Sequence, residues 1–140
     1  MFAQLDTKSV YSFMDSVVDL NTYVKRAKEL GYQSIGLMDR DNLYAAYHFA
    51  QLAIRNGLRP LIGTEANLFY EGRKIPFRLL AKNNQGYKNL MKLATELSSG
   101  QREFTYFSDY LNDIALILPS EDWEPGMSLG SEVFIGVRPE

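Results

Sequence analysis

The stretch Leu30-Gly31-Tyr32-Gln33-Ser34-Ile35 decides the fold of this 140-residue chain, because a similar residue pattern occurs 26 residues later. The second stretch is Asn56-Gly57-Leu58-Arg59-Pro60-Leu61. Each stretch joins a glycine that ends a helical segment to an apolar run of strand length. The spacing matches one strand followed by one helix, so the chain predicts successive βα units. Continuous apolar runs such as 34–38 and 114–118 favour parallel strands buried on both faces. We therefore expect an α/β sheet or partial barrel.

Three helices are predicted from apolar residues spaced three and four positions apart. The first begins after Asp19 and ends at Gly31, and the second lies between Asp41 and Gly57. The side chains expected to face a sheet are Leu20, Tyr23, Val24, Ala27 and Leu30 in the first helix, Leu43, Ala46, Tyr47, Ala50 and Ile54 in the second, and Tyr87, Leu90, Met91, Ala94 and Leu97 in the third.

The remaining predicted strands do not follow the alternation of strands and helices. Residues 66–80 predict two short strands around a turn at Glu71 and Gly72, that is, an inserted hairpin. The run 133–137 predicts a last strand, and no helix follows it. We expect residues 1–140 to form one domain of a longer protein.

Composition excludes several classes of function. The absence of cysteine excludes disulfides, thiolate zinc sites and a cysteine nucleophile. No apolar run reaches the ~20 residues that span a bilayer, and no signal-peptide pattern is present, so we expect a cytoplasmic protein without membrane contact. Glycine-rich phosphate loops are absent. The single histidine, His48, lies in the middle of a predicted helix and is interpreted as a packing or surface residue.

Charge is distributed unevenly although the net charge is only −2. Residues 55–92 carry eight Lys and Arg against two acids, whereas residues 93–140 carry two against nine. The basic segment 55–92 is a candidate interface for DNA or an acidic protein. A sequence pI of about 5.5 is not typical of a nucleic-acid-binding domain.

Acidic residues follow the predicted strands. Asp6, Asp39 and Glu65 come directly after apolar runs, and Asp15 lies in the first loop. Loops at the carboxyl ends of parallel strands converge on one face, where oxygen ligands can assemble a divalent-metal site for phosphoester hydrolysis.

Two cations, Lys8 and Arg40, lie among these acids and could pair with them in place of metal ions. The plainer alternative makes these acids ordinary loop residues, with Asp39 and Asp41 serving as turn and helix caps.

Five motifs carry a family resemblance over roughly residues 1–98. They are Leu5-Asp6-Thr7-Lys8-Ser9-Val10-Tyr11-Ser12-Phe13-Met14-Asp15, Ala27-Lys28-Glu29-Leu30-Gly31, Met38-Asp39-Arg40-Asp41-Asn42-Leu43, Pro60-Leu61-Ile62-Gly63-Thr64-Glu65 and the stretch 79–90. With them the chain resembles the N-terminal PHP (polymerase and histidinol phosphatase) domain of the bacterial DNA polymerase III alpha subunit. The resemblance implies a metal-dependent phosphoesterase fold, a distorted β/α barrel.

The resemblance also implies that the metal site is degenerate. Asp15 and Glu65 match carboxylate ligand positions of the family, whereas Asp6, Lys8 and Arg40 stand where it has histidines. Lysine and arginine offer positive charge and no lone pair, so two of these replacements repel a divalent metal. We expect no catalytic residue, no metal and no cofactor in this segment, and a structural or partner-holding role.

The remaining activity is assigned to the parent chain. The resemblance implies that the polymerase site, its Mg²⁺, DNA and deoxynucleotides belong to other parts of that chain. Expected partners are the remainder of the polymerase, a proofreading exonuclease and other replisome subunits.

One alternative keeps this segment active as a phosphoesterase or 3′–5′ exonuclease. Its metal would be Mg²⁺, Mn²⁺ or Zn²⁺, held by Asp6, Asp15, Asp39 and Glu65.

Overall fold

The computed structural model describes residues 3–4, 19–127, 129 and 132–136. These residues fall into two compact units, 1–64 and 65–140, which are described separately below. The prediction of a single domain stays a prediction. Among the residues described, none of the helices has both the length and the apolar character needed to cross a membrane.

The first unit is built from βα units. It contains β1 (Ala3–Gln4), α1 (Leu20–Glu29), β2 (Ser34–Arg40), α2 (Ala46–Arg55) and the beginning of β3 (Arg59–Tyr70). β1 pairs with β2 in parallel, with Ala3 opposite Ser34. Hydrogen bonds join Arg59 to Gln33 and Thr64 to Asp39. Residue numbers increase in the same direction in both strands from the first hydrogen bond to the second, so β2 and β3 are also parallel.

α1 packs as its sequence pattern predicts except at Leu30, which was predicted to face the sheet but is the C-cap residue and is 62% exposed. The side chain of Asp19 accepts a hydrogen bond from the N–H of Asn21 and caps the helix, and Gly31 follows it with a φ of +83°. Tyr23 stacks on Phe49 of α2, with ring centroids 6.0 Å apart, and donates its hydroxyl hydrogen to the carbonyl of Gly36 at 2.8 Å. The buried core of this unit comprises Val24, Ala27, Ile35, Leu37, Ala45, Phe49, Leu52, Ala53 and Leu58.

The predicted inner face of α2 is confirmed at Ala46 but wrong at Tyr47 and Ile54. Its buried side chains are Ala46, Phe49, Leu52 and Ala53. Tyr47 and Ile54, which were expected to face the sheet, are 70% and 65% exposed. The helix carries two stripes of apolar residues with helical spacing, and its amino-acid order alone does not say which stripe meets the sheet.

The second unit contains a hairpin, helices and two further strands. Its elements are the end of β3, β4 (Arg73–Ala81), α3 (Asn84–Ser98), the short α4 (Phe104–Phe107), β5 (Ile114–Pro119) and β6 (Glu132–Gly136). The predicted turn at Glu71 and Gly72 is confirmed, and both residues have positive φ as a type I′ turn requires. β3 is one continuous strand, so the runs 60–64 and 66–70, predicted as separate strands, belong together.

Strand pairing in the second unit is mixed. β4 pairs with β5 in the antiparallel sense, with Arg78 opposite Ile117. β5 pairs with β6 in parallel, with Leu116 opposite Val133. The α/β class is therefore confirmed, with parallel pairs in each unit and an antiparallel insertion. The barrel implied by the family resemblance stays a prediction.

The stretch 79–90 forms a tight junction in the second unit. Asn83 caps α3 by accepting the N–H of Gly86 at 2.9 Å. Asn89 donates from its amide nitrogen to the carbonyl of Asn112 at 2.8 Å. A Cβ at Gly86 would lie 2.2 Å from the carbonyl oxygen of Asp113, so only glycine permits this approach. The motif is thus explained by packing.

Candidate functional site

The carboxyl end of β2 carries two of the predicted site positions. β2 is buried from Ser34 to Asp39 and becomes exposed at Arg40. Asp39 is 1% exposed, and its carbonyl accepts a hydrogen bond from the hydroxyl of Thr64 at 2.8 Å. An acid this deeply enclosed is uncommon unless other groups bind it, because burial penalises the charged carboxylate. Asp39 is therefore a buried residue of β2, which weakens its interpretation as an ordinary loop acid.

A turn follows Asp39 and Arg40 before α2 begins. Asp41 adopts a φ of +58°. The side chain of Asn42 donates to the carbonyl of Arg40 at 2.8 Å and accepts from the N–H of Tyr44 at 3.1 Å. The residue at the N-cap of α2 is Ala45, which makes no side-chain cap. The interpretation of Asp41 as a helix cap is therefore wrong, and the residue serves the turn instead.

Glu65 forms an ion pair that the sequence analysis missed. Its Oε1 lies 3.3 Å from Nε of Arg78, and the two side chains are only 11% and 24% exposed. Arg78 had been counted merely as one of eight basic residues in segment 55–92. The signal was available in the hairpin, because a two-residue turn at 71–72 sets Tyr70 opposite Arg73 and, five residues further, Glu65 opposite Arg78. A cation therefore pairs with the carboxylate of Glu65, a position where the family resemblance implies a metal ligand.

The other predicted site residues are distributed differently. Asp6, Lys8 and Asp15 lie outside the described residues. Asp39 belongs to the first unit and Glu65 to the second, and each is described within its own unit. His48 is exposed in the middle of α2, which confirms its interpretation as a surface residue.

The donor chemistry can be compared with what a divalent metal needs. Within 3–4, 19–127, 129 and 132–136, no three His, Cys, Asp or Glu side chains are grouped closely enough to bind one. Glu65 is held by a guanidinium, and Arg40 supplies no lone pair. Among the described residues, the carboxylate of Glu65 is therefore already paired with a cation, and position 40 offers no electron pair to a metal.

The basic segment 55–92 is partly used by the chain itself. Arg73 lies 3.4 Å from the carboxylate of Glu124 and donates a second hydrogen bond, 2.7 Å long, to the carbonyl of Asp122. Arg78 is paired with Glu65. At least these two cations are bound by acidic or carbonyl groups of the second unit, which weakens the interpretation of segment 55–92 as a nucleic-acid interface.

In the second unit, the pKa of Tyr106 is raised above its ordinary value. The hydroxyl of Tyr106 donates to Oε2 of Glu96 at 3.1 Å. This hydrogen bond, and the negative charge of Glu96, raise the pKa of Tyr106 above its usual 10.0. The pair lies on an exposed surface and is not part of the predicted site.

Known proteins are similar to this chain in sequence over most of its length. The family model of the PHP domain matches residues 4–124. DNA polymerase III subunit alpha of Streptococcus pyogenes serotype M1 is 49% identical over 98% of this chain and 13% of its own length. The subunit from Bacillus subtilis (strain 168) is 33% identical over 86% of this chain and 11% of its own length. The chain thus spans only a small part of the curated relatives that it matches.

Solved structures share the fold at much lower identity. A proposed metal-dependent phosphoesterase from Bifidobacterium adolescentis has a TM-score of 0.54 and 18% identity, covering 67% of this chain and 32% of its own. An amidohydrolase from Chromobacterium violaceum has a TM-score of 0.50 and 16% identity, covering 79% of this chain and 49% of its own. These two likenesses show the fold. The match of the family model over residues 4–124 and the 49% identity to the Streptococcus pyogenes subunit show that the chain belongs to the PHP domain family.

Proposed function

We propose that this chain is the PHP domain of a DNA polymerase III alpha subunit, that its ancestral metal site is degenerate, and that the domain holds structure and partners without catalysing a reaction. The parent chain is then a DNA-directed DNA polymerase whose active site, with Mg²⁺, lies outside these residues. The similarity to polymerase subunits over 98% of the chain supports the parent assignment. A cytoplasmic location follows as an expectation from the same similarity.

The ion pair between Glu65 and Arg78 carries the proposal. A carboxylate at a metal-ligand position needs a compensating positive charge, because an isolated charge is costly to bury. In most metal sites the ion supplies that charge. Here the guanidinium of Arg78 supplies it, 3.3 Å away and largely enclosed with its partner. The position keeps its carboxylate and is stabilised without a metal.

The loss of imidazoles supports the same conclusion. The chain contains one histidine, and it lies on the outer surface of α2. Positions 6, 8 and 40, where the family resemblance implies histidines, carry Asp6, Lys8 and Arg40. A divalent metal at this site would lose its nitrogen ligands and face two added cations.

The partner that the comparisons support in general terms is the rest of the polymerase chain. A proofreading exonuclease and other replisome subunits are finer proposals of the same kind. Removing the domain from the full polymerase should lower the thermal stability of the remainder or weaken its binding to the exonuclease. Unchanged behaviour in both assays would contradict a holding role.

Metal content is the direct test of the degenerate site. The purified chain is exposed to Mn²⁺ and Zn²⁺, separated from free metal, and measured by elemental analysis alongside hydrolysis of a generic phosphoester. We expect well below about one metal per chain, because Lys8 and Arg40 replace histidines that the family resemblance implies and cannot donate an electron pair to a metal. Near-stoichiometric metal with hydrolysis would establish the phosphoesterase alternative instead.

A matched gain-of-function variant strengthens this measurement. The triple substitution Asp6→His, Lys8→His and Arg40→His restores the imidazoles implied by the family resemblance. We expect it to bind more metal than the parent sequence. A control variant, Lys25→His on the outer surface of α1, adds a histidine away from the site and should bind no more metal than the unsubstituted chain.

A further inference from the structure

The outer face of α2 is unusually apolar for a surface helix. Tyr44, Tyr47 and Ile54 are 73%, 70% and 65% exposed. Tyr47 and Ile54 lie seven positions apart on one side of α2, and Tyr44 lies in the turn just before the helix. Gln51 lies among them and donates its amide hydrogen to the hydroxyl of Tyr47 at 2.7 Å. This bond holds the Tyr47 ring in place on the surface. We call Tyr44, Tyr47, Gln51 and Ile54 the α2 outer face.

α1 provides an internal control in the same unit. Its exposed positions carry only polar or charged side chains: Asn21, Thr22, Lys25, Arg26, Lys28 and Glu29. Residues 44–55, by contrast, contain no acid, and their only basic residues are His48 and Arg55. Both helices bury a separate face against the core, so Tyr44 and Tyr47 are not needed there. Large exposed apolar groups gathered on one face are typical of a binding surface.

We propose that the α2 outer face docks against an apolar surface of the remaining polymerase chain; this inference rests on the proposed function. The curated relatives extend far beyond the matched segment, which covers 13% of the Streptococcus pyogenes subunit. A contact within one chain avoids the loss of translational freedom that two separate molecules would suffer, so a small patch is sufficient.

The chemistry of the face argues against other occupants. Four side chains are far fewer than the ~20–30 residues on each side of a stable protein interface, so a dimer of this chain through α2 alone is disfavoured. The face carries no Lys or Arg among its four members, and phosphate contacts need such cations. Neutral tyrosine, glutamine and isoleucine fit an apolar protein surface better.

Hydroxyl-radical footprinting with mass spectrometry tests this contact. Reaction of Tyr44, Tyr47 and Ile54 is compared between the 140-residue chain and the full polymerase, with Leu30 and Tyr106 as exposed controls. In the full polymerase we expect at least about fivefold lower reaction on the α2 outer face, because residues in an interface core lose most of their contact with solvent. The controls define the general change in reactivity.

Two outcomes would overturn the inference. Equal reactivity of the face in the full polymerase would mean that nothing in that chain covers it. Protection in the 140-residue chain that disappears on dilution would mean that a second copy is the occupant. Metal content is measured independently, so failure of this contact is distinguishable from failure of the proposed metal-free role.

A pair of matched variants gives a second readout in the full polymerase. Tyr47→Ser with Ile54→Ser should lower the thermal midpoint of the full chain while leaving that of the 140-residue chain nearly unchanged. Asn21→Ser with Lys25→Ser on α1 should leave both unchanged. Equal midpoint losses in the two lengths for the α2 pair would indicate an effect within the domain and contradict docking.

Discussion

Two arginines of one strand form ion pairs of nearly equal length in very different surroundings. Arg78 lies 3.3 Å from Glu65, with side-chain exposures of 24% and 11%. Arg73 lies 3.4 Å from Glu124, with exposures of 39% and 68%. Breaking a buried ion pair leaves an uncompensated charge in the protein interior, whereas water solvates the charge that remains when a surface pair is broken. Distance alone therefore does not rank these contacts, and burial should.

The largest effect is expected at the junction of α3 with the carbonyl of Asp113, where a side chain at position 86 has no room. Gly86→Ala would place a methyl group 2.2 Å from that oxygen. Alanine favours a helix by about 1 kcal/mol over glycine, but we expect the collision to dominate and destabilise the chain by about 2–4 kcal/mol. Chemical denaturation measures this loss. Lys88→Ala, on the exposed side of the same helix, is the control and should change stability little.

A double-mutant cycle at the enclosed pair gives the next largest effect. Arg78→Met and Glu65→Gln, singly and together, isolate the coupling between the two side chains. We expect a coupling of about 1–3 kcal/mol, below that of a fully buried pair because Arg78 retains some solvent contact. A coupling close to zero would show that burial does not distinguish this pair, and would remove the main support for Arg78 as the substitute for a metal.

The exposed pair supplies the matched cycle. Arg73→Met and Glu124→Gln should show a coupling of at most about 0.5 kcal/mol, because water screens both charges. Added salt should reduce this coupling further and affect the enclosed pair less. If the exposed pair proved as strongly coupled as the enclosed one, the comparison between the two arginines would fail.

The smallest effect concerns Tyr106 on the exposed surface. Its pKa is raised above 10.0 by the hydrogen bond to Glu96, so folding favours the protonated phenol. The corresponding stability is fully present below the pKa of an unfolded tyrosine and is lost as pH rises through the higher pKa of the folded state. Tyr106→Phe should abolish this part of the alkaline loss. Denaturation across the alkaline range compares it with Tyr44→Phe, and identical pH dependences for the two would contradict the assignment.

Much of the fold was predictable because local rules agreed with the tertiary structure. The cap at Asp19, the glycine after α1, the turn at 71–72 and the buried runs of β2 and β5 all appear where the sequence pattern places them. Each depends on nearby residues, through a hydrogen bond, a positive φ or a continuous apolar run. The α/β class followed from their order.

The errors have a common physical origin. α2 has two possible apolar stripes, and only its packing against β2 and the first-unit core selects Phe49 over Tyr47 and Ile54. The site predictions at Asp39 and Glu65 identified buried acids, but not what binds the carboxylate of Glu65. The partner Arg78 lies on the next strand, and hairpin register brings it there.

The sequence by itself determined the succession of βα units and the hairpin turn, because these depend on residue type and local spacing. It also shows Asp6, Lys8 and Arg40 at positions where the family resemblance implies histidines. Tertiary structure alone decided the orientation of α2, the difference between Arg78 and Arg73, and the need for glycine at position 86. These depend on which surfaces exclude water and which atoms approach across distant parts of the chain. Burial and close contact are properties of the folded molecule, and they convert similar residues into unequal roles.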